Sequence, residues 1–288
     1  MLREPIGLLL AVAVLGAAGI SVAARQGFQA LHQTDVSGTL AATRPNVQAI
    51  ASAVGAFEAG SLGEDALRTE LDRVQLDAVV ALEPLSSAAS LRGTFLDESD
   101  AATGRASRAL RGELDELATA LRQDEGLTQV AYRAERVVAL VAQPGSGLAV
   151  DAAAAASTHR VWLRAYVRDL QRADAGLQAQ TDDLARWRTA ELPGLSSAGA
   201  WDDIGRRVAR ARVDVEGTRD RVRALPAPAE ALRPLQEYTS ALGQLDQAME
   251  ALGAFGDTHA QGSLVAADQA LNAYRATRQS AVSAIQRL

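Results

Sequence analysis

Apolar positions recur along most of this chain at alternating steps of three and four residues, the spacing of one helix face. The last third carries it most clearly. Ile204, Val208, Ala211, Val215, Thr218, Val222 and Leu225 form one stripe, and Leu235, Tyr238, Leu242, Leu245, Met249 and Leu252 form the next. Leu264, Ala267, Leu271, Tyr274, Ala281, Ile285 and Leu288 form a third, with Arg278 the one charged intruder. Pro226–Pro228 mark one turn; Gly253, Gly256 and Gly262 flank the other. Short connections force antiparallel neighbours, so residues 201–288 should make an up-down-up core with left-handed, coiled-coil-like packing. Leu163, Leu170, Leu177 and Leu184 stand one heptad apart. They predict a long helix over 151–192 that joins this core as a fourth member, giving a bundle over 151–288.

Upstream, the stripes are shorter. Val47, Ile50, Val54 and Phe57 are followed by Gly60 and Gly63, which should break the helix. Leu67, Leu71, Val74, Ala78 and Leu82 run to Pro84, which should end them. Leu110, Leu114, Leu117 and Leu121 change phase at Gly126, and Leu127, Val130, Ala134, Val137 and Val141 continue. Pro45 suits a first helical turn, with Thr43 upstream as a cap. Residues 36–142 therefore read as a second helical bundle, or as an extension stacked end to end, and "QPGSG" at Gln143–Gly147 as the domain boundary. "GSL" occurs at Gly60 and again at Gly262, each expected inside a helix-to-helix turn.

The first 34 residues follow another rule. From Pro5 to Ala24 the chain is apolar all round, through Ile6, Leu8, Leu9, Leu10, Val12, Val14, Leu15, Ile20 and Val22. As a helix this stretch spans about 30 Å, the thickness of a bilayer core. It reads as a transmembrane anchor through which the protein engages the lipid bilayer. Ser21-Val22-Ala23 and Val22-Ala23-Ala24 also fit signal-peptidase cleavage, so an export signal stands as the alternative. Arg3 and the terminal amine favour an N-terminus inside. The expected location is the bacterial inner membrane, single-pass, with the bulk extracytoplasmic. After cleavage it would be secreted or periplasmic.

Composition narrows the chemistry. Hydrophobic residues make up 48% and aromatics only 4%, so the core must be Leu, Val and Ala, which suits helices rather than strands. The fold class is all-α: antiparallel helical bundles behind an N-terminal transmembrane helix. A net charge of -6 argues against nucleic acid as a partner. All 29 basic residues are Arg, which rules out a Schiff-base or P-loop lysine. There is no Cys, hence no disulfide, zinc thiolate, thiol nucleophile or lipid-bearing cysteine.

Few candidates for a site remain. His32, His159 and His259 form no metal-binding pair, and "GSGLAV" lacks the strand and third glycine of a dinucleotide loop. The acidic cluster Asp97–Asp100 lacks EF-hand spacing and suits helix capping. We expect no catalytic residue, metal or cofactor. Arg206, Arg210 and Arg219 lie on a locally basic helix and are candidates for an anionic partner; a solvated, ion-paired face is the alternative. Trp162, Tyr166 and Trp187 are candidate groove aromatics, or else fill wide core layers.

The stretch "RVRALPAPAEALRPLQEYTSALGQLDQAMEAL", followed by a glycine-containing turn and an Ala/Leu helix, is similar to known envelope sequences. Over 219–288 it resembles the helical extracytoplasmic region of uncharacterised bacterial lipoproteins and membrane-anchored envelope proteins. The resemblance implies location and fold, and carries no activity or site residue. The expected function is a non-enzymatic, membrane-anchored scaffold or protein-interaction module with a protein partner in the envelope, possible also as a homo-oligomer. The alternative is a sensory four-helix bundle that holds a small ligand and acts through a membrane partner.

Overall fold

The computed structural model describes residues 38–39, 41–88, 98–142, 152–190 and 198–288. These are helical almost throughout and contain no strand, so the described chain is all-α. The apolar stretch Pro5–Ala24, His32, Asp97 and the Gln143–Gly147 linker lie outside the described residues. Among the described residues, no helix is long and apolar enough to cross a membrane.

Helix α1 covers residues 41–58. It is followed by α2 (Glu64–Ala88), α3 (Glu98–Arg122), α4 (Leu127–Ala142), α5 (Ala152–Ala190), α6 (Ala198–Ala224), α7 (Leu232–Thr258) and α8 (Gln261–Ile285). A 3-10 turn, Ala229–Ala231, leads into α7. Contacts divide these helices into two compact units. The first holds the described residues up to Gly126 together with Val130–His159; the second holds Leu127–Gln129 and Arg160–Leu288. The division thus falls inside α5, later than the proline-glycine linker.

In the first unit the stripes meet as spaced. Val47, Ile50 and Val54 of α1, Leu67, Leu71 and Val74 of α2, Leu114 and Leu117 of α3, and Ala134 and Val137 of α4 are all buried. Two of the expected breaks occur, at Gly60 and just before Gly126, each closed by the same device. Gly60 takes φ 74, the N–H of Ser61 reaches back to Ala56 O at 3.0 Å, and that of Gly60 to Phe57 O at 3.0 Å. This pairing satisfies the last carbonyls of α1. At the end of α3 the left-handed residue is Asp124 (φ 50), not Gly126, and the N–H of Glu125 reaches Ala120 O at 3.0 Å.

The prolines behave differently from expectation. Helix α1 is already formed at residue 41, so Pro45 falls in its second turn rather than its first. Thr43 is no cap: its hydroxyl donates to Thr39 O at 2.8 Å, one turn back. Pro84 does not end α2, which runs on to Ala88. At Pro45 the buried Val47, Ile50 and Val54 that follow outweigh one missing backbone hydrogen bond.

The second unit is a four-helix bundle in which α5, α6, α7 and α8 each contribute a stripe to one core. Leu170, Leu177 and Leu184 meet Ile204, Val208, Val215 and Val222, then Leu242, Leu245, Met249 and Leu252, then Leu271 and Ile285. Cross-contacts run in opposite directions between α5 and α6 (Trp187 to Arg207, Trp162 to Pro226), α6 and α7 (Val208 to Gly253, Arg219 to Asp246) and α5 and α8 (Asp174 to Arg278, Arg188 to Asp268), as an up-down-up-down bundle requires. Between α7 and α8 the chain turns on His259 (φ 56), whose N–H bonds Phe255 O at 2.8 Å. The second "GSL" therefore lies in the first turn of α8 instead of in the connection.

Helices α6 and α7 approach closely at two glycines. A Cβ on Gly256 would stand 3.2 Å from Ile204 Cγ2, whereas one on Gly253 would stand 3.9 Å from Val208 Cγ1. Gly253→Ala should therefore stabilise the unit by about 0.5–1 kcal/mol through helix propensity. Gly256→Ile should cost about 1–3 kcal/mol by forcing the helices apart. Urea unfolding followed by tryptophan fluorescence will read both. Trp162, Trp187 and Trp201 all belong to the second unit, so the signal reports that unit alone.

Candidate functional site

The second unit's core is not wholly apolar. Asp174 stands four residues after Leu170 and three before Leu177, so α5 carries it on the buried face. Arg278 stands between Tyr274 and Ala281 on the buried face of α8. Because α5 and α8 run antiparallel, the two meet. Arg278 Nε donates to Asp174 Oδ1 at 2.6 Å and Nη2 to Oδ2 at 2.5 Å, a bidentate pair. The Tyr238 hydroxyl of α7 donates to Oδ1 at 3.1 Å, and Arg278 Nη2 also reaches Gln178 Oε1 at 2.8 Å. Only 6% of the Asp174 side chain is exposed, against 17% for Arg278.

Burial and bonding set the protonation of this cluster. Burial pulls the Arg278 guanidinium down, but the hydrogen bond and charge of Asp174 carry it above its ordinary value. Burial, then the Asp174 charge, push the Tyr238 phenol up. Asp174 therefore has its oxygens engaged by a fixed cation and a phenol that keeps its proton. This locks three helices at one level; it does not present a base to a substrate.

Tyr166 lies higher in the same core with its hydroxyl buried and without a hydrogen-bond partner. Burial raises it from 10.0 to about 12. The folded state therefore holds that proton after the unfolded chain has lost it. The resulting stability is complete below pH 10 and disappears as the pH rises through about 12. Tyr166→Phe should stabilise the unit by about 1 kcal/mol at neutral pH, because an unsatisfied buried hydroxyl is removed. It should also flatten the alkaline loss; melting temperatures across that pH window will show whether it does.

Beside the cluster, a cleft of about 890 Å³ lies between α5 and α8. Asp182, Arg186, Arg188 and Thr189 line it from α5; Asp268, Leu271, Asn272 and Arg275 line it from α8. Arg188 bonds Asp268 across one end. Arg186 pairs with its own neighbour Asp183 at 3.2 Å, an exposed pair that holds it weakly. Asp182 and Arg275 bond no other described residue. Between α5, α6 and α7, by contrast, the core leaves a void of only about 10 Å³, lined by Leu177, Leu184, Val215, Leu245 and Met249 among others. That is room for one water at most.

The residues singled out from sequence are placed as follows. Arg206 and Arg210 are exposed on α6. Arg219, further along the same helix, turns inward to bond Asp246 of α7, so the three do not form one open patch. Arg207, between them, lies over the Trp187 ring at 5.4 Å. Trp162, Tyr166 and Trp187 are all buried at 7% exposure or less. Trp162 Nε1 donates to Pro226 O at 2.9 Å, fixing the α6–α7 turn. These aromatics fill the bundle rather than facing a groove. In the first unit, Glu113 and Glu116 bond Arg136 and Arg133 of α4. Among the described residues no acidic or histidine cluster could hold a metal.

Sequence reading had not singled out Asp174 or the cleft. For Asp174 the signal was present: it occupies an apolar-stripe position, as its partner Arg278 does. Compared with known proteins, the chain matches no protein-family model, no curated protein and no solved structure.

Proposed function

We propose that this protein is a non-enzymatic helical module, tethered by its N-terminal apolar segment at the extracytoplasmic face of a bacterial inner membrane, where it engages an envelope partner. One observation supports the non-enzymatic part: among the described residues of the second unit the buried carboxylate, Asp174, is engaged by its own neighbours. Arg278 and Tyr238 hold it, so Asp174 is not poised to take a substrate proton. The tether is carried by the length and apolar character of Pro5–Ala24.

Cell fractionation tests the tether. The full chain should stay with membranes through an alkaline carbonate wash, and a chain lacking residues 1–24 should not. Recovery of the full chain in the soluble cytosolic fraction overturns the proposal. A periplasmic product whose mass lacks the first 23 or 24 residues selects the cleaved-signal form.

A second reading is favoured by the cleft between α5 and α8. In it the second unit is an extracytoplasmic bundle that holds a small ligand and passes the event to a membrane partner. The size suits a small molecule.

A further inference from the structure

We infer that the α5–α8 cleft is a binding site for a small zwitterion, whose carboxylate is taken by Arg275 and whose ammonium is taken by Asp182. This rests on the second, ligand-binding reading above and names its ligand class.

The argument is one of elimination among charges. At one end of the cleft Arg188 is engaged by Asp268, and beyond the other end Arg278 is engaged by Asp174. Arg186 already has Asp183 beside it. That leaves Arg275 and Asp182, on opposite walls and bonded to no other described residue, with Arg186 tied only by its exposed pair. A purely anionic ligand would meet Asp182, and a purely cationic one Arg275, so each would be opposed by a like charge. A molecule carrying both charges complements both. Leu271 and Ala185 give the cleft an apolar floor for the carbon chain between the two ends. The flanking ion pairs fix the register of α5 against α8. Counting from those two pairs sets Asp182 about level with Asn272, so Arg275 lies almost one turn further along, about 5 Å. The preferred ligand therefore separates its charges by several bonds, as ω-amino acids and short peptides do. The Arg188 Nε, buried without a partner beside the cleft, is a further donor for the carboxylate or for a water bound with it.

Equilibrium dialysis of the full chain in detergent against radiolabelled δ-aminovalerate tests this, with valerate, pentylamine and inorganic phosphate as single-charge probes. Saturable one-to-one binding in the millimolar range is expected. Arg275→Gln and Asp182→Asn should each weaken it at least about tenfold, and Arg210→Gln should leave it unchanged. Valerate and pentylamine should bind at least about tenfold more weakly than the zwitterion. All three variants alter exposed side chains, and unchanged circular-dichroism melting will verify their folding. If valerate or phosphate binds as tightly as δ-aminovalerate in an Arg275-dependent way, the zwitterion assignment falls while the cleft stands as an anion site. If no probe binds saturably, or if binding ignores both substitutions, the ligand-binding reading falls with it.

Discussion

Asp174→Ala will destabilise the second unit by about 3–5 kcal/mol, the largest effect expected of any single substitution in the protein. The change leaves a guanidinium and a phenol among apolar neighbours with their shared acceptor gone. The loss measures that abandonment and not the net contribution of the pair, because bringing both charges out of water opposes most of their attraction. The apolar triple Asp174→Leu, Tyr238→Phe, Arg278→Met should therefore recover most of the stability. Urea unfolding read by tryptophan fluorescence will decide. If the single variant loses less than about 1 kcal/mol, the side chain is solvated and the buried cluster does not exist.

Leu245→Ala ranks second, with an expected cost of about 3–4 kcal/mol. Leu245 is fully buried and already borders the small void shared with Leu177, Val215 and Met249. Removing its methyls enlarges that void, and the helices around it cannot collapse freely. Arg219 ties α6 to α7 beside it at Asp246, and Arg188 ties α5 to α8. Val265, 54% exposed on α8, is the matched control: truncation to Ala there should stay within about 0.5 kcal/mol. Equal losses at the two positions would mean that the core is loosely packed.

The helices and their faces were legible because burial imposes a period. Ile204, Val208, Val215 and Val222 announced their stripe, and Tyr238, Leu242, Leu245 and Leu252 announced theirs, and all are buried. Helix ends were less legible, since a proline removes one backbone hydrogen bond without by itself ending a helix; α2 passes through Pro84 to Ala88. Arg278 was visible as a charge out of place, but its partner lies 104 residues away on α5. Such a pairing depends on the register between two helices, which periodicity does not encode. The same holds for Arg219, which reads as surface charge until Asp246 is seen opposite it. The cleft was the least legible feature. It arises where two antiparallel helices carry polar side chains facing each other, and on either helix alone those residues look like an ordinary solvated face.

The placement of the folded units outside the cytosol is the claim on which the proposed function turns, and the absence of Cys from the chain makes it directly measurable. Single cysteines introduced at Ser52 on α1 and Ala276 on α8, both exposed, give one reporter in each unit. In intact spheroplasts, a membrane-impermeant maleimide should label both positions as fully as it does after lysis. Labelling at either site that appears only after the membrane is broken would place that unit on the cytosolic side and contradict the account.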